Sequence, residues 1–156
     1  MTTLLTLILA ANLSLPAKEM AAHLVVCEKA LRGDFGKLAP WQVEGYKVIA
    51  EHRAVRKLAW ITHYATGEPE VGTLTASGRR VESGRTLAML DVPFGTFVLL
   101  DLPSGFTLRQ VWDRGSRANL PRARRKGAQT WCDVYRHTRS RRILNTSWVR
   151  EVWIAK

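Results

Sequence analysis

The pattern that most constrains this chain lies downstream of Ala59, where short apolar runs alternate with glycine, proline and serine punctuation. In order they are AWITHY, GEPEVG, TLTASG, RTLAML, PFGTFVLLDL, PSG, FTLRQVWD, WCDVY and SWVREVWI. No helical period joins one run to the next. Strands of this length, closely spaced and separated by turn residues, are those of a small all-β barrel. PFGTFVLLDL is the clearest strand, Pro103-Ser104-Gly105 reads as a tight hairpin turn, and Phe106 to Trp112 as the return strand. The expected strands are Trp60–Tyr64, Phe94–Asp101, Phe106–Trp112, Trp131–Tyr135 and Trp148–Ile154.

Upstream, the texture is helical. From Ala17 to Leu31, Met20, Leu24, Cys27 and Leu31 recur on one face, and Gly33 closes the segment. Trp41 to Leu58 reads as a second helix with Val43, Tyr46, Ile49, Ala50 and Val55 inward, although Gly45 weakens it. The first 17 residues carry no charge and an apolar stretch from Leu4 to Ala11, read either as a signal peptide or as a hydrophobic helix. That stretch is too short for a membrane span. The expected organisation is therefore residues 1–17 as leader or hydrophobic helix, 18–59 as a helical extension, and 60–156 as the barrel.

Charge is distributed unevenly. The formal net charge is +11, and residues Thr107 to Lys156 hold 13 Lys/Arg against 3 Asp/Glu. Such a concentration implies a polyanionic partner, and nucleic acid, anionic wall polymer and anionic lipid all satisfy it. Cys27 and Cys132 are the only cysteines, and no C-x-x-C pair suggests zinc. One disulfide in an exported protein and two buried thiols are both open.

Four segments occur in an informative order: Thr75-Ala76-Ser77-Gly78, Pro93-Phe94-Gly95-Thr96, Trp112-Asp113-Arg114-Gly115 and Cys132-Asp133-Val134-Tyr135. From Ile61 to Ile154 the chain resembles the double-psi β-barrels of the rare lipoprotein A type. More distantly it is similar to the three-aspartate domains of cell-wall lytic proteins. The resemblance implies a mainly β fold, a six-stranded double-psi β-barrel with an N-terminal helical extension. It implies cleavage of peptidoglycan glycan strands by lytic transglycosylation, in the cell envelope or outside the cell, in a bacterium or from a phage. In that reaction one carboxyl with a raised pKa acts first as acid and then as base, with no metal and no cofactor.

Carried over by motif, the catalytic candidates are Asp113, Asp133 and Asp91. Asp91 aligns with the first aspartate of the three-aspartate pattern only after a two-residue deletion. The ungapped register instead places Met89 where the rare lipoprotein A family has a histidine. Candidate substrate contacts are Thr75, Ser77, His63, Tyr64, Arg114, Trp131 and Tyr135. Residues two apart in a strand share a face, so Trp131, Asp133 and Tyr135 point the same way. Asp113 and Asp133 are separated by 20 positions, more than the relatives have, and the excess contains Arg122-Ala123-Arg124-Arg125-Lys126. That run reads either as a basic lip for anionic wall material or as a solvated loop. Two alternatives to catalysis stand beside the enzyme: a barrel that binds glycan without cutting it, and a basic nucleic-acid-binding protein.

Overall fold

The computed structural model describes residues 37–51, 54–68, 71–138 and 140–156. The expectations for residues 1–17, for the helix from Ala17 to Leu31 and for Cys27 lie outside the described residues. The elements are α1 (Pro40–Glu51), β1 (Val55–Tyr64), β2 (Thr86–Ala88), β3 (Phe97–Leu102), β4 (Gly105–Asp113), α2 (Asn119–Arg125), β5 (Thr130–Tyr135), α3 (Arg141–Leu144) and β6 (Trp148–Ile154). The six strands close into a barrel in the order β1-β5-β2-β4-β3-β6.

Two of the six neighbour pairs, β1/β5 and β2/β4, are parallel, and the rest are antiparallel. Exchanging β1, β2, β3 with β4, β5, β6 leaves every neighbour relation and every relative direction unchanged. The connectivity therefore has an internal twofold symmetry, invisible in the sequence because no repeat accompanies it.

Alternation along each strand fills the barrel. Ala59 and Ile61 from β1, Leu87, Val98, Leu100, Leu102, Val111, Cys132, Val134, Val152 and Ile154 form one continuous interior cluster. The run FVLLDL is apolar on both faces apart from Asp101 because β3 is covered twice. Val98, Leu100 and Leu102 point inward, while Phe97 and Leu99 pack outside against Tyr46 and Ile49 of α1. Truncating such a residue to alanine costs about 2–5 kcal/mol.

Gly45 explains how α1 sits so close. A Cβ there would lie 2.6 Å from both Leu108 and Phe97 side chains. The glycine that lowers helix propensity is what lets the helix touch the barrel.

One boundary differs from the sequence reading. Residues 55–58 belong to β1, not to the helix: α1 stops at Glu51, and Val55 to Leu58 pair antiparallel with Ile154 to Glu151. Val55 continues the apolar face of α1 only by coincidence of spacing, and strand pairing overrides it. The turn at Pro103-Ser104 joins Leu102 to Gly105 as expected. Asp101, which looks like a turn acid, lies in β3 and faces Arg150 at 3.7 Å. Among the described residues no helix is long and apolar enough to cross a membrane.

Candidate functional site

Strand register builds the site. Thr62 on β1 pairs with Asp133 on β5, Asp133 pairs with Ala88 on β2, and Ala88 pairs with Asp113 on β4. These four residues form one row across four adjacent strands. The row faces outward, because Ile61, Leu87 and Val134 beside it point into the barrel.

Asp113 would break this pattern by simple alternation, since Val111 faces inward. A register shift between Leu87 and Ala88 corrects it: Leu87 pairs with Val111 but Ala88 pairs with Asp113. The extra residue on β4 re-aims Asp113 to the side of Ala88 and Asp133, the usual work of a β-bulge. Two strand spacings separate the two aspartate backbones, roughly 10 Å.

Each carboxylate is held differently. Asp113 Oδ2 accepts from the Tyr64 hydroxyl at 2.9 Å, and Oδ1 accepts from the Ala76 and Arg114 amides at 2.8 and 2.9 Å. All three partners donate, so Asp113 acts purely as an acceptor. Burial, and then the charge of Asp113, hold the Tyr64 phenol far above its usual pKa, so it stays a donor.

Asp133 is partly buried and accepts from Thr62 Oγ1 at 2.8 Å. The Trp131 indole N–H donates to the same Thr62 oxygen at 2.9 Å. An indole can only donate, so the Thr62 hydroxyl keeps its own proton to donate, with Asp133 Oδ1 nearer than the Cys132 carbonyl at 3.5 Å. Burial, opposed in part by the Thr62 bond and reinforced by Glu68 and Asp113, pushes the Asp133 pKa up to about 7.

Both aspartates line one pocket of about 620 Å³, within the usual range for small-ligand sites. Ala88 forms part of its floor, and Glu68, Leu74, Thr75 and Asn119 contribute to its walls. Arg114 also lines it, with its guanidinium 3.9 Å from the Phe94 ring centroid and a bond to the Met89 carbonyl. Leu74 in the lining and Phe94 against Arg114 are exposed apolar side chains.

Gly115 of the D-R-G segment is fixed by contact. A Cβ there would fall 2.0 Å from the Trp131 ring. The other side of Trp131 packs on Ala123 and Ala128, which docks α2 beside the pocket. The basic run is thus largely a short helix: Arg122, Arg124 and Arg125 are exposed, and Lys126 stands 5.2 Å from the Trp60 ring centroid.

The structure gathers Asp113, Asp133, Tyr64, Thr75, Arg114 and Trp131 around the pocket. It does not bring in the remaining candidates. Asp91 accepts from Thr130 Oγ1 at 3.1 Å and pairs with Lys57 at 3.3 Å, away from the pocket lining. His63, next to Tyr64, necessarily points the other way and is buried inside the barrel against Trp148. Ser77 lies behind Thr75, 2.9 Å from its hydroxyl. Tyr135 is buried, bonded to Thr66 and edge-on to the Tyr64 ring, so it supports Tyr64 instead of facing the pocket. Met89 is fully buried in the barrel core.

Sequence reasoning missed Thr62, Glu68 and Asn119. The first could have been found only from the pairing of β1 with β5. Among the described residues no group of three or more His, Cys, Asp or Glu side chains is placed to hold a metal ion. No protein-family model matches the chain, and no curated protein matches it.

Proposed function

We propose that this protein is a double-psi β-barrel of the cell envelope, or exported beyond it, that cleaves peptidoglycan glycan strands by lytic transglycosylation. The observation that carries the reading is a pair of carboxylates in one pocket, one of them raised to about 7 and the other bound only by donors. A buried carboxyl with a raised pKa beside a carboxyl that only accepts suits a proton donor and its electrostatic partner. The twofold connectivity and the two parallel strand pairs support the double-psi assignment.

In this reading the Asp133 carboxyl gives its proton to the glycosidic oxygen as the bond from that oxygen to the anomeric carbon breaks. The 6-hydroxyl of the same sugar then attacks the anomeric carbon. Its proton passes to the Asp133 carboxylate, restoring the acid and leaving a 1,6-anhydro end. Asp113, held in place by Tyr64 and two amides, stabilises the positive charge that develops at the anomeric carbon. Arg114 and the α2 arginines attract carboxylated stem peptides or anionic wall polymer.

Incubating the protein with purified sacculi tests this. Release of 1,6-anhydro muropeptides by the native chain, falling 10²–10⁴-fold in Asp133→Asn, is the expected result for loss of a positioned acid. Undiminished release by Asp133→Asn overturns the assignment of the acid. A second reading, glycan binding without cleavage, is favoured by Met89: the position matched to a histidine in the resembling family is an apolar side chain inside the core. Retention on sacculi with no anhydro product decides for it.

A further inference from the structure

One end of the barrel interior is basic. His63 continues the inward face of Ala59 and Ile61, and Arg109 that of Val111. Arg136 follows β5 directly, in step with Cys132 and Val134, and its amide donates to the Tyr64 carbonyl at 2.9 Å. These positions converge at one mouth, because Tyr64 pairs with Tyr135, Leu87 with Val134, and Thr86, next to Leu87, with Gln110.

His63 and Arg109 are only 6% and 7% exposed. The buried Nδ1 of His63, Nε of Arg109 and Nε of Arg136 have no hydrogen-bond partner among the described residues. Among the described residues Arg109 donates to Thr107 Oγ1 and the Leu108 carbonyl, both neutral oxygens. Neither arginine forms an ion pair with a described carboxylate. Burial first, and the Arg136 charge second, lower both the His63 and the Arg109 pKa; a bond to the Val134 backbone opposes this at His63, and Tyr46 opposes it at Arg109. Outside them, α3 packs against β1 and carries the exposed Arg141 and Arg142.

Buried guanidinium groups without a counter-charge are strongly unfavourable, and buried N–H donors in folded proteins find partners. We propose that this mouth is a binding site for a small tetrahedral oxyanion of the phosphate or sulfate type, held between Arg109 and Arg136 beside His63. The chemistry suits an oxyanion, because two guanidinium groups offer several N–H groups to one compact acceptor. The site is independent of the pocket at Asp113 and Asp133, which lies on the outer face of the same strands.

The test uses the full chain and inorganic phosphate. Thermal unfolding is followed in sodium phosphate and in sodium chloride at matched ionic strength, for the native chain and for Arg136→Gln, a change at a half-buried position. The expected result is a phosphate-specific rise in Tm, roughly 5 °C or more at a hundredfold excess over Kd, which Arg136→Gln abolishes. Replacing Arg122, Arg124, Arg125 and Lys126 by serine leaves the rise intact, which separates this site from the surface arginines. In a parallel experiment on the native chain, phosphate shifts the arginine Hε signals in the NMR spectrum. Equal Tm in the two salts, or a full phosphate response in Arg136→Gln, overturns the proposal. Loss of the response in the serine variant also overturns it, by moving the binding to α2.

Discussion

Replacing Asp133 by asparagine is expected to stabilise the protein at neutral and alkaline pH while removing its acid. The Asp133 pKa stands at about 7 in the fold against 3.8 for an ordinary aspartate. Between those two values the folded chain holds a proton that the unfolded chain has released, so stability falls as pH rises through that window. A pKa raised by that much corresponds to about 4 kcal/mol as an upper bound. His63 acts in the opposite sense. Its pKa falls from 6.5 to about 4, so the unfolded chain binds the extra proton between those values, and stability rises with pH there. That contribution is at most about 3 kcal/mol. In the native protein the two slopes largely cancel over the shared range. Asparagine keeps the shape and still accepts from Thr62, so Asp133→Asn exposes the His63 slope alone. Urea unfolding checks this at two pH values, near 4 and near 8. The variant should match the native protein at the lower pH and exceed it by up to about 4 kcal/mol at the higher. A variant less stable than the native chain at about pH 8, or equally offset at both pH values, refutes a carboxyl raised mainly by burial at this position.

Other outcomes follow from named contacts. Thr62→Val removes the bond that lowers the Asp133 pKa, so the midpoint of a carboxyl ¹³C titration should rise by about 1–2 on the pH scale, the size of a lost bond to a charged group. Gly115→Ala drives a methyl group into Trp131, and chemical denaturation should register a loss of about 1–3 kcal/mol from overpacking. Serine at positions 122, 124, 125 and 126 should weaken binding to anionic wall material most at low salt, because exposed charges are screened within about 10 Å at 0.1 M.

Some of this architecture is legible in the amino-acid order, and the rest is hidden for physical reasons. The β3–β4 hairpin is readable because its turn residues and flanking apolar runs are local signals, and Asp113 and Asp133 because each sits in a short motif. The start of β1 is not, since Val55 to Leu58 become a strand only through pairing with β6. Thr62 is invisible for the same reason: its role depends on standing opposite Asp133, 71 residues away. His63 and Tyr64 read together as cleft residues, yet neighbours in a strand face opposite ways, and only Tyr64 reaches the pocket. Asp113 shows the converse case. Alternation alone would bury it, and a bulge that no composition rule reveals turns it outward.

The most direct measurement follows the Asp133 carboxyl by ¹³C NMR and the release of 1,6-anhydro muropeptides over the same pH range. The account predicts a carboxyl midpoint at about 7 and a rate that falls above it with the same midpoint, because only the protonated acid can start the reaction. A carboxyl that titrates near 4, the ordinary range for aspartate, contradicts the account, as does a rate whose alkaline limb does not follow the Asp133 titration.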